Sequence, residues 1–197
     1  MYQKESGEIV NFVRPTTKFS PHSRAQVGAI VNNTAFLTKQ PDGKLIVGSY
    51  SAAGAVNSGS VTTNFDYVFL RVLASGDLDD TFGFDGRIII PISNTNFASG
   101  QSSTDVLSAI GIQPDGKIVG TGRSFGSDFV YHFASIRLDR TGMLDTSFGS
   151  AGRIDYGFNG LNSVAKTLLF QSDGKIVTAG YVNSGTKLDF AVQRISP

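Results

Sequence analysis

Three observations predict an all-β chain built from repeated four-stranded antiparallel units. One turn is written three times, one arginine returns in three matching strands, and the composition is rich in glycine and poor in charge. The turn reads "QPDGKLIV" at 40–47, "QPDGKIV" at 113–119 and "QSDGKIV" at 171–177. Asp-Gly between β-rich runs predicts a tight hairpin, because both residues tolerate positive φ, and Gly43, Gly116 and Gly174 are its structural anchors. These glycines lie 73 and then 58 residues apart, so self-similarity is present but its spacing is uneven.

The strands follow in order around that turn. In the third copy, "SVAKTLLFQ" (163–171) leads in and "KIVTAGY" (175–181) leads out. A third strand, "DFAVQRIS" (189–196), matches "DYVFLRVL" (66–73) and "HFASIRLD" (132–139), which aligns Arg71, Arg137 and Arg194. Alternation puts Phe190, Val192 and Arg194 on one face and Ala191, Gln193 and Ile195 on the other. In the first copy both faces are apolar, with Tyr67 and Phe69 against Val68, Leu70 and Val72, as in a sheet covered on both sides. "GDLDDTFG" (76–83) and "GMLDTSFG" (142–149) come next, and "GRIII" (86–90) and "GRI" (152–154) form the short fourth strand. The step from arginine to phenylalanine is 11 residues in both copies, Arg71 to Phe82 and Arg137 to Phe148. The uneven spacing therefore sits in two insertions, 51–64 and 91–105, both rich in Gly, Ser, Thr and Asn as loops are.

Four antiparallel strands per repeat, in sheets stacked face to face, describe β-propeller blades. The turn "QPDGKIV", the arginine strand end and "LDTSFG…GRI" also resemble the delta-60 repeat, a bacterial β-propeller-type repeat, over residues 30–197. That resemblance implies a large surface-exposed or secreted bacterial protein, an extracellular or cell-surface location and a family with no established catalytic activity, so no enzyme is expected. The blades are expected at 27–90, 91–154 and 155–197, after an N-terminal segment 1–26. That segment is expected to be an adaptor, a linker or a donated strand, because "SGEIVNF" (6–12) echoes "AGRIDYGF" (151–158). The third copy departs from the repeat pattern, since "RISP" (194–197) stands where another "LDxxFG" would follow. Propellers use about four to eight blades, and an open arc of three leaves edges and apolar faces uncovered. A homo-oligomer is expected, with a trimer, suited to a fibre tip, favoured over a six-bladed dimer.

Composition removes several function classes. A net charge of +1 with 17% charged residues offers no basic field for nucleic acid and no polybasic stripe for a membrane. No run approaches the roughly 20 apolar residues of a membrane-spanning helix, and "MYQKESGEIV" lacks a signal-peptide core. Without cysteine there is no disulfide or thiol chemistry. No metal or cofactor is expected: the carboxylates of "GDLDDTFG" do not follow an EF-hand, and His22 and His132 are isolated. Asp79 and Asp145 are instead expected to hold turn amides and face the strand arginines, where an unpaired charge would be costly.

"GRSFG" (122–126) is a literal G-x-S-x-G, with His132 the nearest base to Ser124. A nucleophile elbow needs a helix after the serine, however, and another strand follows here. Recognition is left to the loops. Tyr50, Arg123 and Tyr181 recur in register at the end of the second strand, where rings and a guanidinium suit sugars or peptides at a loop rim. Asn94, Asn96 and Phe97 in the long insertion are the other candidate ligand contacts. The expected function is thus a non-catalytic binding module, an adhesin or fibre-tip domain for a glycan or other cell-surface ligand. A purely structural spacer is the alternative, and a serine hydrolase a distant third.

Overall fold

The computed structural model describes Tyr2–Gln3, Ile9–Val10 and residues 35–53, 64–93 and 104–196. Short strands β1 (Tyr2–Gln3) and β2 (Ile9–Val10) pair antiparallel; the rest of the 1–26 segment lies outside the described residues. Blade 1 is β3 (Phe36–Lys39), β4 (Leu45–Ala53), β5 (Asn64–Val72) and β6 (Arg87–Ile90), hydrogen-bonded in that order. Blade 2 repeats it with β7 (Val106–Ile112), β8 (Ile118–Phe125), β9 (Tyr131–Leu138) and β10 (Arg153–Tyr156). Blade 3 has three strands among the described residues: β11 (Asn162–Phe170), β12 (Ile176–Asn183) and β13 (Leu188–Ile195). All pairings are antiparallel between sequence neighbours, so each blade is a meander.

The repeated turn is a three-residue loop rather than a two-residue one. Gly43 N–H donates to Gln40 O at 2.9 Å while Gln40 and Lys44 stay paired at 2.8 Å. Only the glycine takes positive φ (+89°), and Asp42 instead accepts the Lys44 amide at 3.1 Å. Asp115 and Asp173 do the same at Lys117 and Lys175. Of the two residues that tolerate positive φ, only the glycine uses it; the aspartate is used as an acceptor, with its backbone in the ordinary region.

The blades stack through their faces, and each has a rear face toward the next blade and a front face toward the preceding one. The rear face of blade 1 presents Ile46, Tyr67 and Phe69, all fully buried in one core with Leu107, Ile118 and Ile136 of blade 2. Phe69 rests where a methyl on Gly120 would sit, 2.6 Å from its Cζ, so glycine there is what lets the ring in. The rear face of blade 2 presents Val119 and Phe133, buried by Ile176, Ile195, Ala165 and Ala191 of blade 3. Of the doubly apolar strand β5, the rear face is thus an inter-blade layer, at about 25 cal/mol of stabilisation per Å² removed from water. Among the described residues no blade covers Val68 and Leu70 on its other face, which are half-buried, so the expected cover on both sides is corrected to one.

Candidate functional site

The two ends of the blades are built differently. At one end each third strand finishes in its arginine and folds into the Asp-Phe motif. Arg71 Nε donates to Asp79 Oδ2 at 2.7 Å, and its ring-facing side lies 4.8 Å from the Phe82 centroid. Arg137 repeats both contacts with Asp145 (2.8 Å) and Phe148 (4.7 Å). Lys44 and Lys117 from the repeated turn add a second cation to each carboxylate at 2.9 Å. Asp79 lies well below the usual carboxylate range although burial opposes it, because Thr81, Lys44 and Arg71 all donate to it. Asp145 is lowered in the same way, by Ser147 first and then Lys117. Two bonds cross between blades here. Arg71 Nη1 donates to Arg140 O and Gly83 N–H to Thr141 O, both at 2.7 Å.

The third arginine differs. Arg194 is exposed, and among the described residues it has no ion pair.

The opposite end gathers the connections whose length varies. Residues 54–63 and 94–103, which include the candidate contacts Asn94, Asn96 and Phe97, lie outside the described residues. The flanking residues do not repeat. Arg123 lies 4.3 Å over the Tyr131 ring, and among the described residues its buried Nε has no hydrogen-bond partner. Tyr131 shares a 2.8 Å hydrogen bond with Thr104 and accepts Phe125 edge-on at 5.2 Å. Its backbone N–H donates to Asn162 Oδ1 at 2.8 Å. Asp105, fully buried, ties down the strand before it by accepting from the Ile92 and Ser93 amides (2.8 and 3.0 Å) and the Ser93 hydroxyl. Burial pushes the Asp105 carboxyl up against the pull of those donors. Asp66 is pushed up to about 6, first by burial and then by the charge on Asp105. Beneath them the Tyr67 hydroxyl is held far above its ordinary value by burial and donates toward Arg123 O and Ala134 O at 3.4 Å.

Tyr50, Arg123 and Tyr181 occupy equivalent places, paired across the sheet with Tyr67, Phe133 and Phe190. They stand on the rear sheet face rather than at a loop rim. Tyr50 packs edge-on to Phe65 at 5.9 Å and against the first core. Tyr181 is half-buried with Lys166 Nζ 5.7 Å from its ring. Arg123 alone joins the variable-end cluster. Sequence reasoning missed Asp105, hidden at the end of an insertion read as loop, and Tyr131, whose register with Arg123 appears only once the β8–β9 hairpin is placed.

Ser124 and His132 are direct cross-strand partners, yet no serine–base bond forms. Among the described residues the buried Ser124 Oγ has no partner, and the His132 ring nitrogens Nδ1 and Nε2 lie 2.9 Å from carboxylate oxygens of Asp155 and Asp128. Ser124 sits inside strand β8 and another strand follows, so the strand–turn–helix of a nucleophile elbow is not built. Among the described residues no group of three or more His, Cys, Asp or Glu could hold a metal ion. An open depression lined by Asp115, Lys117, Asp139, Arg140 and Thr141 lies at the constant end, where Arg140 Nε already donates to Asp115 O.

A family model described as a domain of unknown function (DUF5122) β-propeller matches residues 113–148 and 171–197. Both matched stretches begin at the repeated turn and run through the arginine strand, and with the stacked antiparallel sheets they place the chain among β-propeller-type repeats. No curated protein matches the chain.

Proposed function

We propose that the chain is a non-catalytic binding module, an adhesin or fibre-tip domain of a bacterial surface protein that meets a glycan or other cell-surface ligand outside the cell. The observation that carries this reading is the contrast between ends: one end repeats its Arg–Asp–Phe joint, while the other differs from blade to blade around Arg123 and Tyr131. A constant frame with a variable end is how repeat scaffolds present recognition surfaces. A planar guanidinium stacked on a ring, beside the Thr104 and Asn162 side chains, suits hydroxyl-rich or peptide ligands. The delta-60 resemblance supports the surface location. The separate ring-nitrogen partners of His132 favour this reading over a Ser124 hydrolase.

A structural spacer is the second reading, favoured by the constant-end bonds from Arg71 to Arg140 O and from Gly83 to Thr141 O, which tie blade 1 to blade 2. Binding of the chain to a broad glycan array and to whole cells separates the two. Binding is expected, and Arg123→Ala should weaken it at least about fivefold while the protein stays folded. Blank results on both surfaces would leave the spacer.

A further inference from the structure

The repeat supplies its own control for one exposed surface. On the rear faces of blades 1 and 2, Tyr67 and Phe133 are 0% exposed, and Phe69 and Ser135 are 0% and 1%. Their equivalents on blade 3, Phe190 and Val192, are 101% and 64% exposed, and Leu188 beside them is 63%. The same sheet face is therefore covered twice within the chain, each time by the front face of the next blade.

The front faces show the reverse pattern. In blades 2 and 3, Ala134 and Ala191 are buried and Ile110 and Leu168 pack into the inter-blade cores. Their equivalents on blade 1 are half-buried Val68 and Leu37, which is 54% exposed, flanked by half-buried Val47 and Leu70. Among the described residues, the β13 side of the blade 3 rear face and the front face of blade 1 are thus left without a covering blade, and they are of the kind that meet inside the chain. Side-chain sizes agree as well. Where Phe69 meets Gly120 within the chain, the corresponding unused pair is Val192 and Val47, two mid-sized side chains in place of one large and one absent.

We propose that the rear face of blade 3 docks the front face of blade 1 of a second copy of this chain, head to tail, and that two copies close into a six-bladed ring. Two copies suit the fold, since three would count nine blades, beyond the about four to eight that propellers use. A head-to-tail contact either closes or runs on as a filament, so the angle between blades decides between ring and fibre. The inference is independent of any ligand at the variable end.

The test is solution mass by light scattering and sedimentation at micromolar concentrations, on the whole chain and three samples derived from it. The wild type is expected as a dimer. Phe190→Asp, at a fully exposed position, should raise the dissociation constant roughly 30-fold or more with an unchanged circular dichroism spectrum. Leu37→Asp should do the same from the other side. An equimolar mixture of the two variants should form a heterodimer, because one intact rear face then meets one intact front face. A monomeric wild type overturns the proposal, as does an assembly that Phe190→Asp leaves intact. Failure of the mixture to associate overturns the head-to-tail pairing, and a trimer or filament overturns the two-copy ring.

Discussion

Asp79 and Asp145 at one end of the blades, and Asp66 and Asp105 at the other, are shielded carboxylates of opposite character. The first pair each meet an arginine, a lysine and a hydroxyl, and their charged form is favoured. Burial shifts both of the second pair toward the neutral form, and the charge on Asp105 adds to the shift at Asp66. The comparison teaches that one end is arranged for stability and the other carries an electrostatic cost that stability alone does not explain. Such costs gather where surfaces meet ligands, and they support the binding reading.

The contrast can be broken most severely at the constant end. Asp145→Ala leaves Arg137, 3% exposed, buried without its carboxylate, and should cost about 3–5 kcal/mol in urea unfolding. A loss below about 1 kcal/mol would mean that the Ser147 hydroxyl and the Phe148 ring hold Arg137 without the ion pair. Gly116→Ala comes next. Its φ of +83° and the Arg140 side chain, 2.9 Å from the added methyl, predict a loss of about 1–2 kcal/mol by the same measurement.

The pH dependence sharpens the contrast, because the two pairs act in opposite directions. Asp66 holds its proton more tightly folded, at about 6, than in an unfolded chain near about 4. Its contribution is present in full below the unfolded value and is lost as pH rises through 6. Asp79 and Asp145 are lowered, so their contribution is present above about 4 and is lost as pH falls below it. Thermal midpoints should therefore rise from pH 7 to 5 and fall steeply under 4. Asp66→Asn should flatten the first limb and leave the second; an unchanged first limb would remove Asp66 as its source. The smallest effect belongs to Arg123→Ala, which removes the stack on Tyr131 and should lower stability by about 0.5–1 kcal/mol.

Much of the frame was legible before any coordinates. The constant 11-residue step from arginine to phenylalanine placed the Arg–Asp–Phe joint, since the aspartate falls eight residues after each arginine. Strand alternation divided the faces correctly, but it could not tell which face another blade would cover. That is why Tyr50 was expected at a rim and is found in a core contact. Arg194 was read with Arg71 and Arg137, yet burial depends on what lies beyond the sheet, and among the described residues no blade covers that side of its strand. The second cation on each carboxylate, Lys44 or Lys117, needed the turn folded back beside the motif. Asp105 was hidden for a different reason: its role lies in amides 12 and 13 residues earlier, across a loop that carries no periodic signal.

The bond from Gly83 to Thr141 also sets an order of events during synthesis. Gly83 is added 58 residues before its acceptor, so at about 5–20 residues per second the joint of blade 1 waits roughly 3–12 s for its partner. Through that interval the newborn sheet has its hairpins but no cover for Tyr67 and Phe69. Each blade is finished by its successor, and the nascent chain is most exposed to misassembly while that successor is still being made.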